Sequence, residues 1–174
     1  IEDKFASDFP DLTQVGAVVT KDIEPYEETK IRILNGGHTS LAYLGALSGY
    51  NTFDEVMNDP THRHHFKQLQ YEEIIPSIES ELPFDIFEYV DKVEERFSNA
   101  SNVDELDRIC MDGFTKFHTF VVPSLRKCLE QGKKPVNIYK GIAAWYIYSR
   151  RFARGCTKIR YNEPNWTLLE PLLR

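Results

Sequence analysis

The sequence is poor in cysteine, in basic excess, in long apolar runs and in glycine-rich phosphate loops, and each shortage removes a class of protein. Among 174 residues there are three cysteines, Cys110, Cys128 and Cys156. They lie far apart, form no CxxC and are odd in number, so neither a disulfide framework nor a zinc ribbon is indicated, and a reducing, cytoplasmic setting fits. Lysine and arginine number 21 against 27 acids, a net charge of −6. Nucleic acid and anionic membrane surfaces, which favour clustered basic excess, are not expected partners. The run "IAAWYIY", Ile142 to Tyr148, is far shorter than the roughly 20 residues needed to cross a bilayer. No GxGxxG occurs, so a Rossmann-type dinucleotide cradle is missing. Repeats and low-complexity stretches are missing too.

What is present reads as one compact helical domain. The composition is 41% hydrophobic and 28% charged, ordinary for a soluble globular protein, and the length is enough to bury a real core. The chain begins at Ile1 without a Met, a basic start or an apolar signal core, and reads as a piece of a longer protein. Residues 1–24 predict an irregular segment with at most one short extended piece. "PYEETK" then opens a helix, with Pro25 in the first turn and Glu27 and Glu28 near the positive end of its dipole; it should run to about Ser48. "NTFDEVMNDP" predicts a short capped helix stopped by Pro60, and the next begins at Thr61 and ends or kinks at Pro76. Further helices are expected over "DIFEYVDKVEERF", over "VDELDRICM", after a break at Asp112 and Gly113, and over "VNIYKGIAAWYIYSRRF". That last pattern is apolar nearly all round, as for a helix buried on several sides. "NEPNWTLLEPLLR" predicts a loop and a short docking helix. The fold class is all-α, a bundle of about seven helices.

Within the first long helix, "KIRILNGGHTS" sets Gly36 and Gly37 among Lys30, Asn35 and His38. An interior glycine costs about 1 kcal/mol relative to alanine, so the pair needs a reason. Without Cβ atoms, the backbone beside Asn35 and His38 can be approached by a neighbouring helix or by substrate and cofactor; a plain packing notch is the alternative. At α-helical spacing Lys30, Asn35 and His38 fall within an arc of about 140°, next to Leu34, Leu41 and Leu44. An amine desolvated there loses preference for its charged form and can serve as a general base. An amide and an imidazole beside it can hold and polarise a substrate oxygen. Taken alone, the three residues favour the plainer alternative: Lys30 reaching solvent, Asn35 a packed irregularity and His38 a satisfied core histidine.

The stretch "PYEETKIRILNGGHTSLAYLGALSGY", Pro25 to Tyr50, shifts that balance. It resembles the signature of the C-terminal domain of the mannitol dehydrogenase family, the long-chain polyol and hexuronate dehydrogenases. The pattern K-x-R-x-L-N-x-x-H is matched without a gap by Lys30, Arg32, Leu34, Asn35 and His38. The likeness continues in "MNDP", in "YEEIIP" and in "RICMDGFTKFHTFVVPSLR", Arg108 to Arg126, where Arg108 and Lys116 fall on substrate-binding positions. It covers about Val15 to Arg151; residues between Glu79 and Asp104 carry little of it, which leaves substrate choice open.

The resemblance implies a fold of the 6-phosphogluconate dehydrogenase C-terminal type. Residues 1–174 would form the substrate-binding and catalytic domain of a two-domain dehydrogenase whose N-terminal Rossmann domain lies outside this chain. It further implies hydride transfer between a sugar alcohol of mannitol or arabinitol type and a ketose, with NAD or NADP bound mainly by the other domain, and no metal. Lys30 is then the general base, Asn35 and His38 hold the reacting oxygen, and Arg108 and Lys116 bind distal oxygens. A hexuronate reductase of fructuronate or tagaturonate type is the alternative within the family; a non-enzymatic helical interaction module is the alternative outside it. The partners implied are a small polyol, ketose or hexonate and the chain's own Rossmann domain. "THRHHF" holds His62, His64 and His65 but lacks further converging ligands, and reads as solvated surface. Arg150, Arg151 and Arg154 read as charges complementing a helix C-terminus.

Overall fold

The structure, a computed structural model, describes residues 1–157 and 160–173. Residues 1–23 form no helix longer than the single turn Leu12–Val15, and Glu2 pairs with Thr20 in an isolated bridge. Helix α1, Glu24–Thr29, has Pro25 in its first turn. It continues through a π-helical segment, Lys30–Gly36, into α2, Gly37–Ser48, which Gly49 ends in the left-handed region at φ 93°. The expected helix is therefore one unbroken run over 24–48, wound wide at its centre.

Helix α3, Phe53–Asn58, starts with a capping box between Thr52 and Glu55. In α4, Pro60–Gln68, the Asp59 carboxylate accepts from the Thr61 and His62 backbone N–H groups at 2.8 and 3.0 Å. A second π segment, Leu69–Ile74, follows and ends in a tight turn at Pro76. Helix α5 spans Ile86–Ser98, and two short helices follow, α6 at Leu106–Ile109 and α7 at Gly113–Lys116. Between these two, Asp112 sits at φ 53°, the expected break. A third π segment, Phe117–Val121, leads into α8, Val122–Glu130; α9, Val136–Ala153, and α10, Trp166–Leu173, complete the chain. Among the described residues there is no strand, and the all-α reading holds.

Helices α2 and α9 pack along one another and form the centre of the core, with Leu41, Ala42, Tyr43 and Ile138 fully buried. The start of α9 is held from inside. The buried Glu73 carboxylate accepts from the backbone N–H groups of Asn137 and Ile138 at 2.7 and 2.8 Å and from the Asn137 side chain at 2.9 Å. One expectation fails for α9: Tyr139, Tyr146 and Ile147 are each 44% exposed, so the helix is buried on one side and open on the other. Tyrosine rings carry an apolar body and a polar tip, and an apolar count takes no account of the tip.

The histidine segment also differs from expectation. His64 is exposed, but His65, on the same helix, is buried. His62 is half-buried, its Nδ1 3.0 Å from Asp59 and its Nε2 3.2 Å from the Ser48 hydroxyl. No described helix is long and apolar enough to cross a membrane.

Candidate active site

The π segment Lys30–Gly36 packs against both other π segments, and its backbone explains the polar residues it presents. A π turn joins residue i to i+5, so residues five apart stack, which is the spacing of Lys30 and Asn35. The wide turn is supported from a distance: Gln70 Nε2 donates to the Ile33 carbonyl at 3.0 Å. It is also the reason for the two glycines. A Cβ on Gly37 would lie 2.4 Å from Gln70 Nε2 and 3.0 Å from the Phe66 ring, and one on Gly36 would lie 3.0 Å from the Phe120 carbonyl. Neighbouring segments, rather than a ligand, occupy the space the glycines leave.

Lys30, Asn35, His38, Arg108 and Lys116 line a single cleft of about 450 Å³. Its other walls come from the end of α5 through Arg96 and Phe97, from the following loop through Asn102 and Asp104, and from Phe120 of the third π segment. The cleft is cationic in a chain of net charge −6: Lys30, Arg96, Arg108 and Lys116 face the carboxylate of Asp104.

His38 is clamped by aromatic rings. Phe97 stacks on it at 4.8 Å between centroids and Phe53 meets it edge-on at 4.2 Å. Burial holds the imidazole down to about 4, with Asp104 opposing the shift and Arg108, Lys116 and Arg96 adding to it. Near neutral pH the ring is therefore uncharged, one nitrogen a donor and the other an acceptor. Its Nε2 is buried without a hydrogen-bond partner among the described residues, an arrangement that a substrate oxygen would satisfy.

Lys116 is half-buried, donates to the Ile109 carbonyl at 2.9 Å, and has its ammonium pKa pushed down by burial. Arg108 is exposed and pairs through Nη2 with Asp104 Oδ1. Lys30 is exposed, which corrects the desolvated environment read from the sequence: Leu41 is buried in the core and Leu44 packs against it, while Leu34 lines the cleft beside Lys30 without burying the amine. Sequence reading missed Arg96, Asn102 and Asp104. For Asp104 a signal existed, an acid four residues before Arg108; for Arg96 none did. Among the described residues no group of three or more His, Cys, Asp or Glu side chains is placed to hold a metal.

The family model described as the mannitol dehydrogenase C-terminal domain matches residues 22–171. The mannitol 2-dehydrogenase of Cereibacter sphaeroides is 35% identical over 174 residues, all of this chain and 36% of that protein. Mannitol dehydrogenase 2 of Saccharomyces cerevisiae is 41% identical over 152 residues, 85% of this chain and 30% of that protein. The structure of Pseudomonas fluorescens mannitol 2-dehydrogenase in ternary complex with NAD and D-mannitol superposes with a TM-score of 0.88 at 32% identity, covering 99% of this chain and 35% of that one. A D-sorbitol dehydrogenase in substrate-free form gives 0.80 at 32% identity, covering 86% and 31%. The chain thus spans about a third of the length of these relatives. By sequence and by fold, this chain belongs to the mannitol dehydrogenase family of oxidoreductases and corresponds to its helical C-terminal domain.

Proposed function

We propose that the chain is the substrate-binding and catalytic part of a cytoplasmic two-domain dehydrogenase that interconverts a sugar alcohol of mannitol or arabinitol type and a ketose. The observation that carries this reading is the convergence of Lys30, Asn35, His38, Arg108 and Lys116 on one cleft. Oxidising an alcohol removes a proton from oxygen and a hydride from carbon. Lys30 takes the proton, and in the reverse direction returns it. His38 Nε2 and the Asn35 amide hold the reacting oxygen and stabilise charge that develops on it, with the imidazole fixed in place by Phe53 and Phe97. Arg108 and Lys116 bind oxygens farther along the carbon chain, and two cationic donors suit hydroxyls or a terminal carboxylate. That leaves a hexonate substrate as the second reading.

NAD or NADP, when bound, supplies the hydride acceptor. This chain fits one end of such a complex and not the other. Its cleft is lined by His38, whose Nε2 is buried without a hydrogen-bond partner among the described residues, whereas the described residues contain no strand to build a pyrophosphate cradle. The dinucleotide is then held mainly by a Rossmann domain outside these residues. That domain and the substrate also supply the cover that Lys30 lacks here.

The test is made in the full-length protein, with D-mannitol, D-arabinitol and hexonates screened against both nicotinamides. Lys30→Ala is expected to lower turnover by about 10²- to 10⁴-fold while nicotinamide binding, followed by fluorescence titration, stays intact. Normal turnover in that variant would remove the general-base assignment and favour a helical interaction module.

A further inference from the structure

The loop between α5 and α6 carries little family signature, yet it supplies the carboxylate on the cleft wall. Asp104 is anchored through its backbone. Its carbonyl accepts from Phe53 N–H at 2.9 Å, the following Glu105 bridges Thr52, and Leu106 N–H donates to Asn51 at 2.9 Å. The start of α6 is thereby tied to the start of α3, the helix whose Phe53 clamps His38. From this fixed point the Asp104 carboxylate binds Nη2 of Arg108, with the aspartate side chain 26% and the arginine side chain 64% exposed.

An exposed arginine samples many rotamers, and a productive grip on a substrate has to be selected from them. A planar guanidinium held at one edge by a carboxylate keeps its remaining N–H groups in a fixed fork. Both Asp104 and Arg108 line the cleft. A neutral polyol brings no charge to draw the arginine toward it, so a fixed orientation matters more than attraction.

We propose that Asp104 is a positioning residue that holds the Arg108 guanidinium in the orientation that grips substrate oxygens. The inference rests on the assignment of Arg108 to substrate binding made above. An ion pair with one partner this exposed adds little to folding stability, so the role predicts a kinetic effect without a thermal one. The Asp104 charge also reaches His38, where it opposes the cations of Arg108, Lys116 and Arg96. That influence is separable from positioning, because it does not pass through the Arg108 side chain.

The experiment is a double-mutant cycle in the full-length protein, with D-mannitol and NAD as the reactants. Asp104→Asn is expected to raise KM for mannitol about tenfold while kcat stays within about threefold, the pattern of lost binding common to ground and transition states. KM for NAD and the melting temperature should not move. Asp104→Glu, which keeps the charge, should recover most of the lost kcat/KM. In an Arg108→Ala background, Asp104→Asn should change kcat/KM by less than about twofold, because residues acting through one another are not additive. An equal factor in both backgrounds would overturn the proposal, as would an unchanged KM in Asp104→Asn when Arg108→Ala raises it. If Arg108→Ala itself has no effect, the grip assigned to Arg108 is wrong and its positioning falls with it, while the roles of Lys30 and His38 stand.

Discussion

Gly37 shows how much one missing Cβ can decide. The side-chain amide of Gln70 occupies the place where that atom would stand, and from there it serves the Ile33 carbonyl of the wide turn. Gly37→Ala should displace the amide and press on Phe66. Overpacking of this kind costs about 1–3 kcal/mol, read as a lowered urea midpoint for the 174-residue chain. Why the two glycines stand together was only half legible: their presence signalled crowding, but Gln70 and Phe120, the groups that crowd them, lie far away in sequence. That Lys30, Asn35 and His38 would share one side was expected from α-helical spacing, and the three do line one cleft, but the wide winding at Lys30–Gly36 that sets their actual offset was not expected. Nor was the exposure of Lys30, since it depends on which neighbours arrive and on what this chain leaves uncovered. Arg96 reached the cleft with no local sign at all.

At the scale of elements, the starts of helices were the most readable parts of the sequence. Pro25, the cap before α3 and the break at Asp112 each act on backbone within a turn of their own position. The start of α9 is different. Pro135 precedes it, no local side chain caps it, and Glu73 does so from 64 residues away. Glu73→Ala would leave two buried N–H groups without an acceptor, each costing about 1–3 kcal/mol. A loss of at least about 2 kcal/mol in denaturant unfolding is expected, with Glu73→Gln losing less because its amide oxygen still accepts. The π segments were illegible for the same reason as this cap, being supported by contacts that no window of sequence contains.

The whole molecule has an acid limit set by two buried imidazoles. Burial holds both His38 and His65 down to about 4, against an ordinary value of about 6.5. Between those values the unfolded chain takes up protons that the folded chain refuses, so stability is complete above about 6.5 and falls as pH drops toward 4. Thermal melts of the 174-residue chain should show a lower midpoint at pH 5 than at pH 7. His65→Gln, which lies outside the cleft, should reduce the slope of that dependence by about half, since one of the two titrating rings is gone. An unchanged slope would mean that His65 takes up protons in the fold as readily as out of it. The wide turn at Lys30–Gly36 also bears on editing the chain by length. A π turn is an α-helix carrying a spare residue, so deleting one position from it leaves a segment that closes as ordinary helix with all its backbone bonds intact. Each residue of an α-helix turns the chain by about 100°. Such a deletion would swing Lys30 away from His38 and turn the buried Pro25 and Thr29 out of their seats, a frame error felt by the site and the core together.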